Sequence, residues 1–162
     1  MPKPGDIGFT RIEGVLGKFV YLAQWFNGDR SRWTHVFLVL SDEYVFEARP
    51  GGAAILPMSD YDHREVHFVS PHLTSSQRAR IVAEARMLVG TPYSFMDYFA
   101  LFLQRTGLCR GLTRRYVKDS GHMICSQAVD EAYRRAGIHL FEDGRPPQEV
   151  TPGDLARVFG IG

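Results

Sequence analysis

Three residue types that together perform acyl transfer occur in this chain: a cysteine, a histidine and a carboxylate. Cys125 lies in the segment GHMICSQAVDEAYRRAGI, residues 121–138. Its apolar residues recur at helical spacing and predict an amphipathic helix with Cys125 on the buried side and a stop at Gly137. A thiol in a first helical turn faces unpaired backbone N–H groups and the positive end of the helix dipole, which favour the thiolate. Cys125 is therefore a candidate nucleophile, and a small buried apolar residue is the alternative interpretation.

The other side of this helix is predicted to face solvent because four charged residues fall on it. We expect two acid–base pairs four residues apart and an N-terminal cap from Ser120 or Asp119. The charged residues are Asp130, Glu131, Arg134 and Arg135.

A base for the thiol is predicted on a β-hairpin formed by HVFLVL (35–40) and YVFEA (44–48). The register depends on loop length: a three-residue loop at Ser41-Asp42-Glu43 places Phe37 opposite Glu47, whereas a two-residue loop would put His35 and Glu47 on opposite faces. With the three-residue loop, His35 lies diagonal to Glu47 on the same face, about 7 to 8 Å away at the backbone. A carboxylate in that position orients an imidazole so that it takes a proton from a thiol. A core histidine satisfied by a backbone group is the alternative for His35.

Metal binding is the other chemistry that these residue types permit. His122 and Cys125 have the H-x-x-C spacing, and three further histidines cluster earlier in the chain. There is no second cysteine pair and no H-x-x-x-H on a helix. We therefore expect neither a metal site nor a cofactor. The clustered histidines are His63, His67 and His72.

The remaining pattern predicts strands in the first half of the chain and helices in the second. GDIGFTRI, AAILPM and EVHFVS are typical of strands. Helical spacing favours helices from Ile12 to Phe26, after a cap at Thr74 or Ser75, in SFMDYFALFLQRTG and in TPGDLARVF. This order indicates the α+β class.

Length and charge limit the possible functions. A chain of 162 residues with 44% hydrophobic content suits one domain, and a net charge of +1 does not indicate a general nucleic-acid binder. We expect no secretory signal, no transmembrane segment and a cytoplasmic location. Residues 105–118 contain five basic residues and no acidic one, which favours either a solvated surface or an entrance for an anionic substrate. The oligomeric state is left open.

Two blocks of the sequence resemble a known family. VGTPYSF followed by MICSQAVDEAYRRAGI resembles the block of NlpC-type papain-like cysteine hydrolases that ends in the nucleophilic helix. KPGDIGF and THVFLVLSDEYVFEA resemble the block that usually comes after the cysteine. Here His35 precedes Cys125, as in the circularly permuted branch that includes YiiX-like proteins. The resemblance implies one permuted papain-like domain over residues 1–162, with an antiparallel sheet or partial barrel packed against helices.

The resemblance also implies roles for individual residues. Cys125 is the expected nucleophile, His35 the base, Glu47 the residue that orients it, and Tyr93 a contributor to the oxyanion site. The implied activity is that of a cysteine amidase or peptidase, working through a thioester on a peptide, amide or lipid-ester substrate. A lipid-directed acylhydrolase or acyltransferase is an alternative because FMDYFALFL is strongly apolar. A non-enzymatic binding module on the same scaffold is another.

Overall fold

Five antiparallel strands form one sheet that packs against helices, as a computed structural model of residues 1–12, 21, 31–92 and 124–162 shows. The helices in these ranges are α1 (Ser75–Met87), α2 (Cys125–Arg135) and α3 (Pro152–Val158), with 3₁₀ turns at Met58–Tyr61 and Pro147–Glu149. The fold is therefore α+β, as predicted. The strands are β1 (Ile7–Thr10), β2 (His35–Val39), β3 (Tyr44–Arg49), β4 (Gly52–Pro57) and β5 (His67–Val69).

The hairpin of β2 and β3 lies inside the sheet, whose strand order is β4-β3-β2-β1-β5. Leu38 pairs with Phe46 and Val39 with Val45, and the same register continued along the strands sets Phe37 opposite Glu47. The predicted register is confirmed. The Ser41 hydroxyl holds the loop by accepting the backbone N–H of Tyr44 at 3.1 Å.

The two faces of the sheet bury different sets of residues. On one face, apolar residues of β2 and β3 pack against α2, whose Ala128 and Ala132 are fully buried. On the other face, Phe37 packs beneath Tyr61 of the first 3₁₀ turn. Gly8 of β1 pairs with Phe37, and a Cβ at Gly8 would lie 2.2 Å from the Phe37 ring. Glycine at this position therefore allows Phe37 to lie flat on the sheet.

The predicted cap of α1 is confirmed at Thr74. Its hydroxyl accepts the backbone N–H of Gln77 at 3.2 Å, and the Gln77 side chain accepts the backbone N–H of Thr74 at 2.8 Å. Arg78 of the same helix lies 2.6 Å from the buried Asp6 carboxylate. This ion pair joins α1 to the turn before β1.

The start of α2 differs from the prediction. The helix begins at Cys125, so the expected cap from Ser120 or Asp119 is wrong. The side chain of Gln127 instead accepts the backbone N–H of Ile124 at 3.0 Å. A glutamine three residues after the cap position can satisfy this donor, whichever residue occupies the cap.

The outer side of α2 is only partly solvated, with Arg134 and Arg135 exposed and the predicted pair of Glu131 with Arg135 confirmed at 2.7 Å. Asp130 and Glu131 are both buried, and Asp130 faces the segment 139–148 across a cavity. Gln127 donates from Nε2 to the Gln148 carbonyl at 2.7 Å, which helps to hold this segment on the helix. Arg134 pairs with Glu131 rather than with Asp130.

Several predictions fall outside the described residues. They are the helix from Ile12 to Phe26, the helix in SFMDYFALFLQRTG and the basic stretch 105–118. No helix in the described part of the chain combines the length and apolarity needed to cross a bilayer.

Candidate active site

His35 and Glu47 meet on neighbouring strands. His35 is the first residue of β2, and its Nε2 lies 2.6 Å from Oε2 of Glu47 in β3. Both residues are buried. The pair follows directly from the hairpin register, because the diagonal position brings both side chains to the same face of the sheet.

Tyr61 is a third member of this group that the sequence did not reveal. Its hydroxyl donates to the same Oε2 of Glu47 and lies 3.3 Å from Nε2 of His35. The Tyr61 ring stacks on Phe37 with centroids 4.1 Å apart. Tyr61 ends a 3₁₀ turn within the polar stretch MSDYDHR, which has no strand or helix periodicity, so no pattern marked it as buried.

Cys125 reaches His35 from the helix. It is the first residue of α2, is only 4% exposed, and acts electrostatically on His35, whose pKa it helps to raise. The helix packs against β2 and β3, the two strands that carry His35 and Glu47. The structure therefore brings together the three residues predicted to form the site.

The charged side chains of this group stabilise one another electrostatically. Burial lowers the pKa of His35, but Cys125 and Glu47 outweigh it and raise that pKa to about 10. Burial raises the pKa of Glu47, whereas its hydrogen bonds with His35 and Tyr61 bring it below its ordinary value. Burial and the Glu47 charge raise the pKa of Tyr61, so its hydroxyl stays protonated and acts as a donor. The site thus holds an imidazolium between a carboxylate and a sulfur.

The remaining candidate residues are of two kinds, those outside the described residues and those at the surface. Tyr93 and His122 lie outside the described residues, and the histidines at 63, 67 and 72 are exposed. Within the described ranges, no three His, Cys, Asp or Glu side chains come together in a way that would hold a metal ion.

Comparisons with known proteins extend the description of the fold. No protein-family profile and no curated protein matches the sequence. Among solved structures, the chain is similar to the crystal structure of the metalloprotein yiiX from Escherichia coli O157:H7, a DUF1105 protein. The two share 21% identity over 98% of this chain and 83% of yiiX, with a TM-score of 0.60. This chain therefore has a YiiX-like fold.

Proposed function

We propose that the protein is a cysteine-dependent hydrolase of the amidase or peptidase type on a permuted papain-like fold. Cys125 is the nucleophile, His35 the acid–base residue and Glu47 the residue that orients His35. The single observation that supports this function is the environment of the buried His35 side chain. It pairs with Glu47 of β3 and interacts electrostatically with Cys125, the first residue of α2. The order of the elements, with the histidine strand before the cysteine helix, supports the permutation.

The arrangement fits a two-step acyl transfer. The Cys125 thiolate attacks the substrate carbonyl carbon, a C–S bond forms and the carbonyl oxygen becomes an oxyanion. The backbone N–H groups in the first turn of α2 are suited to stabilise that charge. When the tetrahedral intermediate collapses, the C–N bond breaks and the leaving amine takes a proton from His35. The product of this step is a thioester on Cys125.

The second step restores the enzyme. His35, now neutral, takes a proton from water, and the resulting oxygen nucleophile attacks the thioester carbonyl. The C–S bond breaks, the carboxylic acid leaves, and the thiolate and imidazolium re-form. Glu47 occupies Nε2 of His35 throughout. We therefore assign to Nδ1, the other ring nitrogen, the proton exchange with the sulfur and the leaving group.

Because yiiX is described as a metalloprotein, the side chains of this site are compared with the ligands that a metal ion requires. His35 Nε2 and Glu47 Oε2 lie 2.6 Å apart and face each other, and Tyr61 bonds to the same Oε2. No group of three suitable side chains exists in the described residues. The described side chains of this site therefore do not fit a metal centre, and the proposed steps use none.

Mass spectrometry of an acylated protein tests the proposal. Incubation with p-nitrophenyl butyrate should add one butyryl group to Cys125 in a Cys109→Ser background, with release of nitrophenol. Cys125→Ala should show no adduct, and His35→Ala should form it much more slowly because the thiol loses its base. Butyrylation of the Cys125→Ala variant at the wild-type rate, or equal rates in His35→Ala and wild type, would refute the assignment.

A further inference from the structure

A cavity of about 310 Å³ lies between the outer side of α2 and the segment 139–148. The cavity is separate from the Cys125 group, because it opens on the side of α2 that faces away from the sheet. Its wall combines charged, aromatic and proline residues. The lining includes Asp130, Arg134, His139, Phe141, Arg145 and Pro147.

Asp130 is unlike the other buried acids of the described chain. Each of the other four has at least one basic or hydroxyl partner. Asp6 pairs with Arg78, and Glu47 bonds to His35 and Tyr61. Glu131 pairs with two arginines, and Asp154 interacts with Arg145 and the Thr151 hydroxyl. Asp130 is 4% exposed and has no hydrogen bond or ion pair with any described residue. An unpaired buried carboxylate is costly, so its retention indicates a function.

The nearby cations are already engaged with other acids. Arg134 bonds to Glu131 through Nε and Nη2, each at 2.8 Å. Arg145 bonds to Asp143 through Nε at 2.8 Å and lies 3.2 Å from Asp154 through Nη1. Both arginines lower the pKa of Asp130 through their charge, but neither forms an ion pair with it. Among the described residues Asp130 therefore has no ion-pair partner, and its carboxylate is available to an external cation.

The residues that line the cavity also limit the chemical class of the ligand that it can bind. A divalent cation needs several oxygen ligands, but Glu131, which follows Asp130 in the sequence, is engaged by Arg134 and Arg135. A primary ammonium group needs one deep carboxylate and offers three N–H donors. Leu140, Phe141 and the two prolines at 146 and 147 give an apolar wall for a short carbon chain.

We propose that this cavity binds a small primary amine, whose ammonium group pairs with Asp130 while its carbon chain lies on the apolar wall. The site is independent of the proposed hydrolase function. One ion pair and a short alkyl chain correspond to weak binding, with Kd of about 1 to 10 mM.

The test compares n-butylammonium chloride with 1-butanol, its neutral counterpart, at constant ionic strength. Binding is followed by the amide chemical shifts of α2 and residues 139–148 in two-dimensional NMR spectra. We expect saturable shifts with the ammonium compound and weaker, unsaturated shifts with the alcohol. Equal binding of both compounds, or no saturation well above 10 mM, overturns the proposal, and this comparison needs no variant.

Two variants locate the site. Asp130→Asn keeps the shape of the side chain and removes its charge, and it should weaken butylammonium binding at least tenfold. Glu142→Gln is the control, because this exposed acid lies in the segment 139–148 but not in the cavity wall. Its affinity should stay within twofold of wild type. Unchanged binding in Asp130→Asn, or an equal loss in Glu142→Gln, overturns the assignment to Asp130.

Discussion

Replacement of Tyr61 by phenylalanine removes one hydroxyl from the centre of the site and little else. The phenylalanine ring can keep the stacking position on Phe37, where the tyrosine centroid lies 4.1 Å away. Oε2 of Glu47 loses the bond from the tyrosine hydroxyl and, among the described residues, retains that from His35. The substitution therefore isolates the contribution of one donor to a buried carboxylate.

The size of the effect follows from the charge and burial of Glu47. A hydrogen bond to a charged group contributes roughly 1.5 to 3 kcal/mol, and the lost partner leaves a buried acceptor less satisfied. We expect Tyr61→Phe to lower the free energy of unfolding by about 2 kcal/mol at pH 7. The folded-state pKa of Glu47 is lowered, so this stabilisation is present above its unfolded pKa and is lost as the pH falls through the folded value. The difference between Tyr61→Phe and wild type should therefore shrink in acid.

Urea denaturation at pH 7 and under acidic conditions measures this difference. Tyr44→Phe is the matched control, because the Tyr44 side chain lies at the edge of the same hairpin and is 46% exposed. Its free energy of unfolding should stay within about 0.5 kcal/mol of wild type. Equal losses in the two variants, or a loss in Tyr61→Phe that is the same at both pH values, would show that the hydroxyl does not act on an ionised Glu47.

Three further predictions concern stability and the reactivity of Cys125. Gly8→Ala should lower the free energy of unfolding by about 1 to 3 kcal/mol because the new methyl group meets the Phe37 ring, and an unchanged thermal midpoint would contradict this. Asp130→Asn should raise the free energy of unfolding above pH 6 by up to about 3 kcal/mol, because burial and Glu131 raise the pKa of Asp130 from 3.8 to about 6. This gain in stability should vanish as the pH falls to 4, and a loss of stability at pH 8 would contradict the prediction. Alkylation of Cys125 should slow more in His35→Ala than in Glu47→Gln, because only the former removes the base, and the reverse order by mass spectrometry would contradict the assigned roles.

The part of the site that lies on the hairpin could be predicted from the sequence. The period of two along the strands and the length of the Ser-Asp-Glu loop determine together which side chains share a face, and the observed pairing of Leu38 with Phe46 agrees with that prediction. The cap at Thr74 was predictable for the same reason, since it depends on residues close in sequence.

The features that were missed depend on contacts between distant segments. Tyr61 reaches Glu47 from a 3₁₀ turn, and no local pattern links residues 47 and 61. Asp130 looked solvent-exposed because its position on α2 is polar, but it is buried and faces the segment 139–148 across a cavity. Helical periodicity describes which side of a helix faces the sheet, and it carries no information about a loop that returns over the opposite side.

The rate of iodoacetamide alkylation at Cys125 tests most directly whether His35 activates this sulfur. The comparison is made at pH 6 in a Cys109→Ser background, with wild-type His35 against His35→Ala. An ordinary cysteine, with a pKa of about 8.5, is almost entirely protonated and slow to react at that pH. We predict that the protein with His35 reacts at least tenfold faster than His35→Ala, because the imidazolium stabilises the thiolate beside it. Equal rates in the two proteins, with both folded, would contradict the pairing of His35 with Cys125 and the acyl-transfer function built on it.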